Sequence, residues 1–288
     1  MTDQAAGLRE LASKSRGPTK IIAVTSGKGG VGKSNMVINL GIALAELRRR
    51  VLIVDLDLGL ANIEALLGIA SDYNIQHVID GEKQFEDIIV PGPAGVRILP
   101  GSSGVSRLAD LTSRKRQQFI EHFVSLQGKV DFIFVDTMAG ISKNVVGFAV
   151  AADEVLLVTT PEPTAVLDAY AMIKTIFERQ PHATIKLVVN MVKDDAQAKQ
   201  IAHRIESVVK RFLNRRVRTI GCVPHDEHVS QAVMQSRPLM QLYPNSPAAK
   251  SVRTLAARLV DFRVPLAEAK RVGLLERLVA AFGAGSAE

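Results

Sequence analysis

The run Gly27-Lys28-Gly29-Gly30-Val31-Gly32-Lys33-Ser34 constrains this 288-residue chain more than any other segment, because it fits the phosphate-cradling pattern GxxxxGK[ST] in full. Ile21-Ile22-Ala23-Val24-Thr25 before it is a short β-rich apolar run. After it, Met36, Val37, Leu40, Leu44 and Leu47 recur at helical spacing. Strand, glycine loop and helix thus follow in the order that phosphate binding requires. Gly27, Gly29, Gly30 and Gly32 let the backbone curl until successive N–H groups, Val31 included, face a nucleotide's β- and γ-phosphates. The helix N-terminus adds its positive end, Lys33 a point charge and Ser34 a hydroxyl ligand for Mg2+, with Asn35 next in line.

Two further strands deliver acids where α/β sheets bind ligands. Val51-Leu52-Ile53-Val54-Asp55-Leu56-Asp57 and Asp131-Phe132-Ile133-Phe134-Val135-Asp136 are apolar runs closing on carboxylates at their C-terminal ends. One such acid alone could cap a helix. Two acids together with the phosphate loop make capping a poor joint explanation. Lys186-Leu187-Val188-Val189-Asn190 ends on an amide, which offers a donor and an acceptor to an adenine edge, and the strand closing on Pro224 ends in a turn.

With 47% hydrophobic residues the chain can bury one large core, and its motifs are spread along all of it, which predicts one catalytic domain. The single cysteine, Cys222, excludes an internal disulfide framework. The closest histidine pair, His225 and His228, lacks companion cysteines at zinc spacing, so no metal other than Mg2+ is expected. The N-terminus carries no long apolar run, which predicts neither a signal peptide nor a membrane-spanning anchor. A net charge of +7 invites nucleic acid or an acidic membrane, with basic clusters at Arg48–Arg50, Arg114–Arg116 and Lys210–Arg218. No aromatic-interleaved basic stripe accompanies them, so DNA stays open as a partner without being favoured.

Strands near 20–25, 51–55, 96–99, 131–136, 153–159, 184–190 and 217–223 alternate with helices near 33–48, 113–126, 163–179, 195–213 and 245–262. This alternation predicts a doubly wound, mostly parallel α/β sheet in a single domain, and the phosphate loop after its first strand places it in the P-loop NTPase class.

The spelling GKGGVGKS resembles the deviant phosphate loop of the MinD/ParA superfamily of dimerising ATPases, and the resemblance covers roughly residues 19–262. It implies ATP and Mg2+ as cofactors and a homodimer formed with ATP. Lys28 would cross the interface of that dimer to stabilise charge on the partner's phosphates, an arginine-finger logic. Asp57 would orient the attacking water, and Asp55 and Asn62 would support its loop. Lys28, Lys33 and Asp57 form the implied catalytic set. Asp136 would hold Mg2+ through water beside Ser34 and Asp57, Thr137 to Ile141 would be the second switch, and Asn190 with Pro224 would border adenine. Glu162 would lie near the ribose or the dimer face, with a plain loop and N-cap equally open.

Both chain ends fall outside that unit, giving segments 1–18, 19–264 and 265–288. Asp3-Gln4-Ala5-Ala6-Gly7-Leu8-Arg9 and the segment TTPEPTAVLDAY at 159–170 resemble the flagellar-number regulators of the FlhG (FleN) group. The resemblance implies that Gln4, Leu8 and Arg9 engage an FlhF-type GTPase; a disordered leader is the alternative. That group reads Asp-Thr-Ala-Ala-Gly at the second switch, where Met138 stands here. In the tail, Val272, Leu275, Leu278, Val279 and Phe282 lie on one helical face flanked by Lys270, Arg271 and Arg277, as suits a membrane surface. A docked last helix is the alternative, or docking in the monomer and release in the dimer. The function implied is an ATP-dependent, membrane-associating switch acting with FlhF on flagellar number or placement. It would be cytoplasmic, cycling to the inner membrane face, with a basal-body component or transcriptional regulator as a further partner. A MinD-type division-site ATPase and a ParA-type DNA-partition ATPase are the rivals.

Overall fold

The computed structural model describes residues 19–56, 62–101, 112–261 and 273–283. Gln4, Leu8, Arg9, Asp57 and Val272 lie outside the described residues. In chain order the elements are β1 (Lys20–Thr25), α1 (Lys33–Glu46), β2 (Val51–Leu56), the short helices α2 (Asn62–Leu67), α3 (Ile75–Ile79) and α4 (Phe85–Ile88), then β3 (Val90–Pro91), β4 (Arg97–Leu99) and α5 (Ser113–Ser125). After these come β5 (Phe132–Thr137), α6 (Lys143–Ala151), β6 (Glu154–Thr159), α7 (Pro163–Arg179), β7 (Ile185–Val192), α8 (Asp195–Leu213) and β8 (Arg218–Pro224). The chain continues through α9 (Glu227–Met234), α10 (Leu239–Leu242), α11 (Pro247–Asp261) and α12 (Leu274–Gly283).

The strands form one sheet in the order β3-β4-β2-β5-β1-β6-β7-β8, parallel except at the antiparallel β3–β4 edge. β1 sits at the centre, so the chain winds outward from it in both directions. That reversal leaves a crevice at the C-terminal strand ends, where such sheets bind ligands. Central strands read as unbroken apolar runs because both faces are covered. Ile22 and Val24 pack with Leu40 and Leu44 of α1 and Val252 and Leu255 of α11, while Ile21 meets Phe119, Phe123 and Leu278 on the opposite face. Each fully buried Leu or Ile contributes about 1.5–3 kcal/mol relative to exposure. The doubly wound sheet expected from the alternation is the fold observed, with strand ends displaced by no more than a residue or two.

Two features manage polar groups away from the crevice. At the outer edge, the Thr219 N–H donates to Glu206 Oε1 (3.0 Å) and the Ile220 carbonyl accepts from Arg258 Nη1 (2.5 Å), so β8 offers fewer free groups to a foreign strand. At the base, Glu154 takes Lys20 (2.9 Å) and Lys186 (2.8 Å). Burial lowers the Lys186 pKa, and the Glu154 carboxylate works against that shift by favouring the charged ammonium.

The tail helix is seated on the domain. Leu274, Leu278 and Phe282, at i, i+4 and i+8, are buried among residues of α5 and α6, and the Phe282 ring lies 4.9 Å from that of Phe148. Gly147 makes the seat: a Cβ there would stand 2.6 Å from the Phe282 ring. Arg277 reaches Asp153 Oδ1 (2.8 Å), and Arg116 Nη1 donates to the Phe282 carbonyl (2.7 Å) at the helix end. Leu275 and Val279 remain about two-fifths exposed. The apolar face expected to be continuous is therefore split: Leu278 and Phe282 belong to the core, and Leu275 and Val279 look outward.

Candidate active site

β1 delivers the glycine loop directly to the N-terminus of α1. Gly30 (φ 79°) and Gly32 (φ 84°) occupy the left-handed region, where a side chain is strained. Gly27 is required for another reason: a Cβ there would stand 2.2 Å from the Asp168 carbonyl oxygen in the second turn of α7. Val31 is buried, and its carbonyl accepts from Asn190 Nδ2 at 2.8 Å, tying the loop to the end of β7.

The two lysines of the loop lie in opposite environments. Lys33 is 6% exposed and its Nζ stands 2.7 Å from Asp136 Oδ1, at the end of β5. Lys28 is 39% exposed, pairs with Glu162 and donates to Thr164 Oγ1 (3.0 Å) at the N-terminus of α7. Glu162 is the N-cap residue of α7, but its side chain goes to Lys28 rather than to the helix.

The switch segments are joined to this frame by backbone contacts. The Gly140 N–H donates to the Ser26 carbonyl (2.9 Å), and Thr137 Oγ1 donates to the Val24 carbonyl (3.0 Å), so the segment after β5 is laid against β1. Met138 is half-buried and packs against both apolar clusters on that side of the sheet. Asp55 is buried, and its Oδ2 accepts from the Ile63 N–H (3.3 Å) in the first turn of α2.

Beyond the loop a cavity of about 90 Å³ is lined by Gly32, Asn35, Asn190, Met191, Pro224 and Asp226 among others. Asn190, Asn35 and Pro224, expected to meet the nucleotide, are thus brought together. Sequence reasoning missed Met191 and Asp226. For Asp226 a signal existed, an acid two residues past the strand, before a helix. Its carboxylate caps α9 through the His228 N–H (3.1 Å) and accepts from the Ala248 N–H (3.0 Å). Burial pushes its pKa up, but these donors and the His228 ring outweigh it and hold the carboxyl below 3.8.

A hydroxyl at Ser34 and a buried carboxylate at Asp136, at the mouth of a phosphate-shaped loop, are hard oxygen donors suited to Mg2+ completed by phosphate and water. No group of three or more His, Cys, Asp and Glu residues fit for a metal ion occurs among the described residues.

A glycine loop cradled between a parallel strand and a helix, with a buried lysine and a strand-end carboxylate, defines a P-loop NTPase. A family model described as "ParA: NUBPL iron-transfer P-loop NTPase" matches residues 17–260, and the chain belongs to the ParA/MinD family of P-loop ATPases. It is 38% identical over 248 residues to the antiactivator FleN of Pseudomonas aeruginosa, covering 86% of this chain and 89% of that protein. To the flagellum site-determining protein YlxH of Helicobacter pylori it is 33% identical over 250 residues, covering 85% and 83%. Among solved structures it resembles MinD of Pyrococcus horikoshii complexed with Mg-ADP, with a TM-score of 0.69 at 28% identity over 84% of this chain and 96% of that one.

Proposed function

We propose that this chain is an ATP-dependent dimerising switch of the FleN (FlhG) kind, controlling flagellar number or placement. The observation that carries the mechanism is the contrast between its two loop lysines. Lys33 is buried against Asp136 and serves its own loop; Lys28 is exposed at the loop's mouth and free to be exchanged from Glu162 to a second nucleotide. The flagellar assignment is supported by the similarity to FleN and YlxH.

Arriving phosphates would draw Lys33 from Asp136 toward them, and Asp136, beside Ser34, would then hold Mg2+ through water. When bound, Mg2+ would supply positive charge to offset that of the phosphates. The loop N–H groups and the N-terminus of α1 hold those oxygens in place. Lys28 then leaves Glu162 and bridges to the partner's phosphates, closing a sandwich that excludes water from the reacting centre. Asp57 orients the attacking water. Contact between Gly140 and Ser26 passes the state of the loop to the second switch, where Met138 is anchored in the core.

Two further parts complete the proposal. Leu275 and Val279, already exposed, give α12 a first hold on a membrane surface, and release of Leu278 and Phe282 would complete it; two tails per dimer raise the avidity. Gln4, Leu8 and Arg9 of the leading arm would act on an FlhF-type GTPase.

Light scattering tests the core of this reading: ATP with Mg2+ should convert monomer to dimer, ADP should not, and Lys28→Ala should remain monomeric. A Lys28→Ala chain that dimerised like the wild type would remove the sandwich mechanism. A peptide of residues 1–18 should raise the GTPase rate of the cognate FlhF; failure of both peptide and full chain would remove the flagellar partner and leave the ATPase standing.

A further inference from the structure

β7 does not finish as a regular strand. Ile185 to Val192 is buried at every position except Met191, which is 38% exposed. Met191 has φ +57°, in the left-handed region that an unbranched apolar side chain gains nothing by entering. Pairing with β8 shows where the distortion comes from. Val189 lies opposite Cys222 and Val192 opposite Pro224, so three steps along β7 match two along β8, and one extra residue is bulged out.

The bulge is locked on both sides. Asn190 Nδ2 is held by the Val31 carbonyl (2.8 Å), and the His225 N–H donates to the Val192 carbonyl (2.9 Å). In a regular strand Asn190 and Met191 would point to opposite faces. Here both line the same cavity, with Met36, Pro224 and Val229. The Met191 methyl reaches over the loop, 3.5 Å from where a Cβ on Gly32 would stand. A turn of this kind needs at most glycine or asparagine; a long thioether adds nothing to the turn and adds apolar surface to the cavity.

We infer that Met191 is a base-contacting residue, its thioether lying against the purine face of the bound nucleotide and the bulge serving to aim it there. This rests on the nucleotide-binding reading above. A thioether favours an aromatic partner, and the exposed side chain loses water when a purine covers it. Every purine presents a π face, so Met191 supplies affinity and leaves the choice between adenine and guanine to edge contacts at Asn190 and the backbone near Pro224.

Calorimetry on the full chain with Mg2+ tests this, using ATP, GTP and inorganic tripolyphosphate as separate probes. Met191→Ala should weaken ATP by about two- to tenfold. It should weaken GTP by the same factor, so that the ATP-to-GTP ratio is kept, and leave tripolyphosphate unchanged. Met191→Leu should stay close to the wild type. Met191→Gly, which relieves the backbone, should melt no lower than the wild type without nucleotide yet bind ATP as weakly as Met191→Ala. Unchanged ATP affinity in Met191→Ala, or an equal loss for tripolyphosphate, would overturn the inference alone. A wild-type chain that bound tripolyphosphate but gained nothing from the base would sink it as well, whereas one that bound no ATP would sink the nucleotide reading first.

Discussion

The phosphate loop and the tail helix are both short, and both present groups whose purpose is set by what lies opposite them. In the loop, the phosphate-facing backbone is shaped by its own glycines and by the helix that follows, although Lys33, Lys28 and Val31 also meet Asp136, Glu162 and Asn190 from distant strands and turns; in α12 the packing face itself is set by Gly147, Phe148 and Asp153, more than a hundred residues away in sequence. Chemistry carried by neighbouring residues survives translation from sequence to structure unchanged. An amphipathic face is different, because its pattern says that something must cover it and not what does.

The largest effect expected to test this comparison is at Lys33. Lys33→Ala removes the charge that meets phosphate and leaves the buried Asp136 without its ammonium partner. Hydrolysis should fall by about a hundredfold or more, and the nucleotide-free protein should lose about 3 kcal/mol. Steady-state phosphate release and urea unfolding read the two losses separately; wild-type turnover would remove the loop from the mechanism.

Next comes the division of the tail face. Leu278→Asp places a carboxylate in the core and should cost about 2–4 kcal/mol, or undock α12 instead. Leu275→Asp, one position round the helix, should change stability by about 0.5 kcal/mol at most. Liposome sedimentation with ATP should fall in both. Equal stability losses would mean that the face is not divided, and a Leu275→Asp chain that sedimented normally would take the membrane role away from the outer stripe.

A smaller effect belongs to the seat itself. Gly147→Ala puts a methyl where the Phe282 ring lies, and overpacking of this kind costs about 1–3 kcal/mol unless the helix leaves. Trypsin should cut faster near Arg277, and sedimentation should become less dependent on ATP. Unaltered cleavage would show that α12 can shift without letting go.

The smallest effect is at the nucleotide end. The Asp226 carboxyl titrates below its ordinary value of 3.8, so the stability it supplies is present above that value and is lost as pH falls through the lower, folded one. The gap between wild type and Asp226→Ala should therefore be full at neutral pH and close below pH 3.8. A gap that persisted in acid would mean that the caps do not depend on charge.

Much of the frame was legible beforehand. The apolar runs at 20–25, 51–55 and 131–136 were readable as buried strands because a two-sided strand leaves no polar alternation to confuse. α6 escaped notice, since Val145 to Ala151 is apolar all round and periodicity cannot separate such a run from a strand. The two-residue β3 is too short to carry a pattern. Asn190 was placed correctly at a strand end, but one of its amide hydrogens is engaged by Val31, a contact across 159 positions.

What the amino-acid order determined alone is the phosphate loop, its two lysines, the strand-end acids and the winding of the sheet. These follow from local rules: glycine's freedom at positive φ, the positive end of a helix, and the burial of continuous apolar strands. Tertiary structure decided the rest. Which stripe of α12 faces the core depends on a missing side chain at Gly147. That Lys28 rests on Glu162 depends on the start of α7 reaching the loop. Met191 turns toward the cavity because, between Val189 and Val192, three steps of β7 are paired with two of β8. Each depends on surfaces brought together only when the sheet closes, so no pattern along the chain could have announced them.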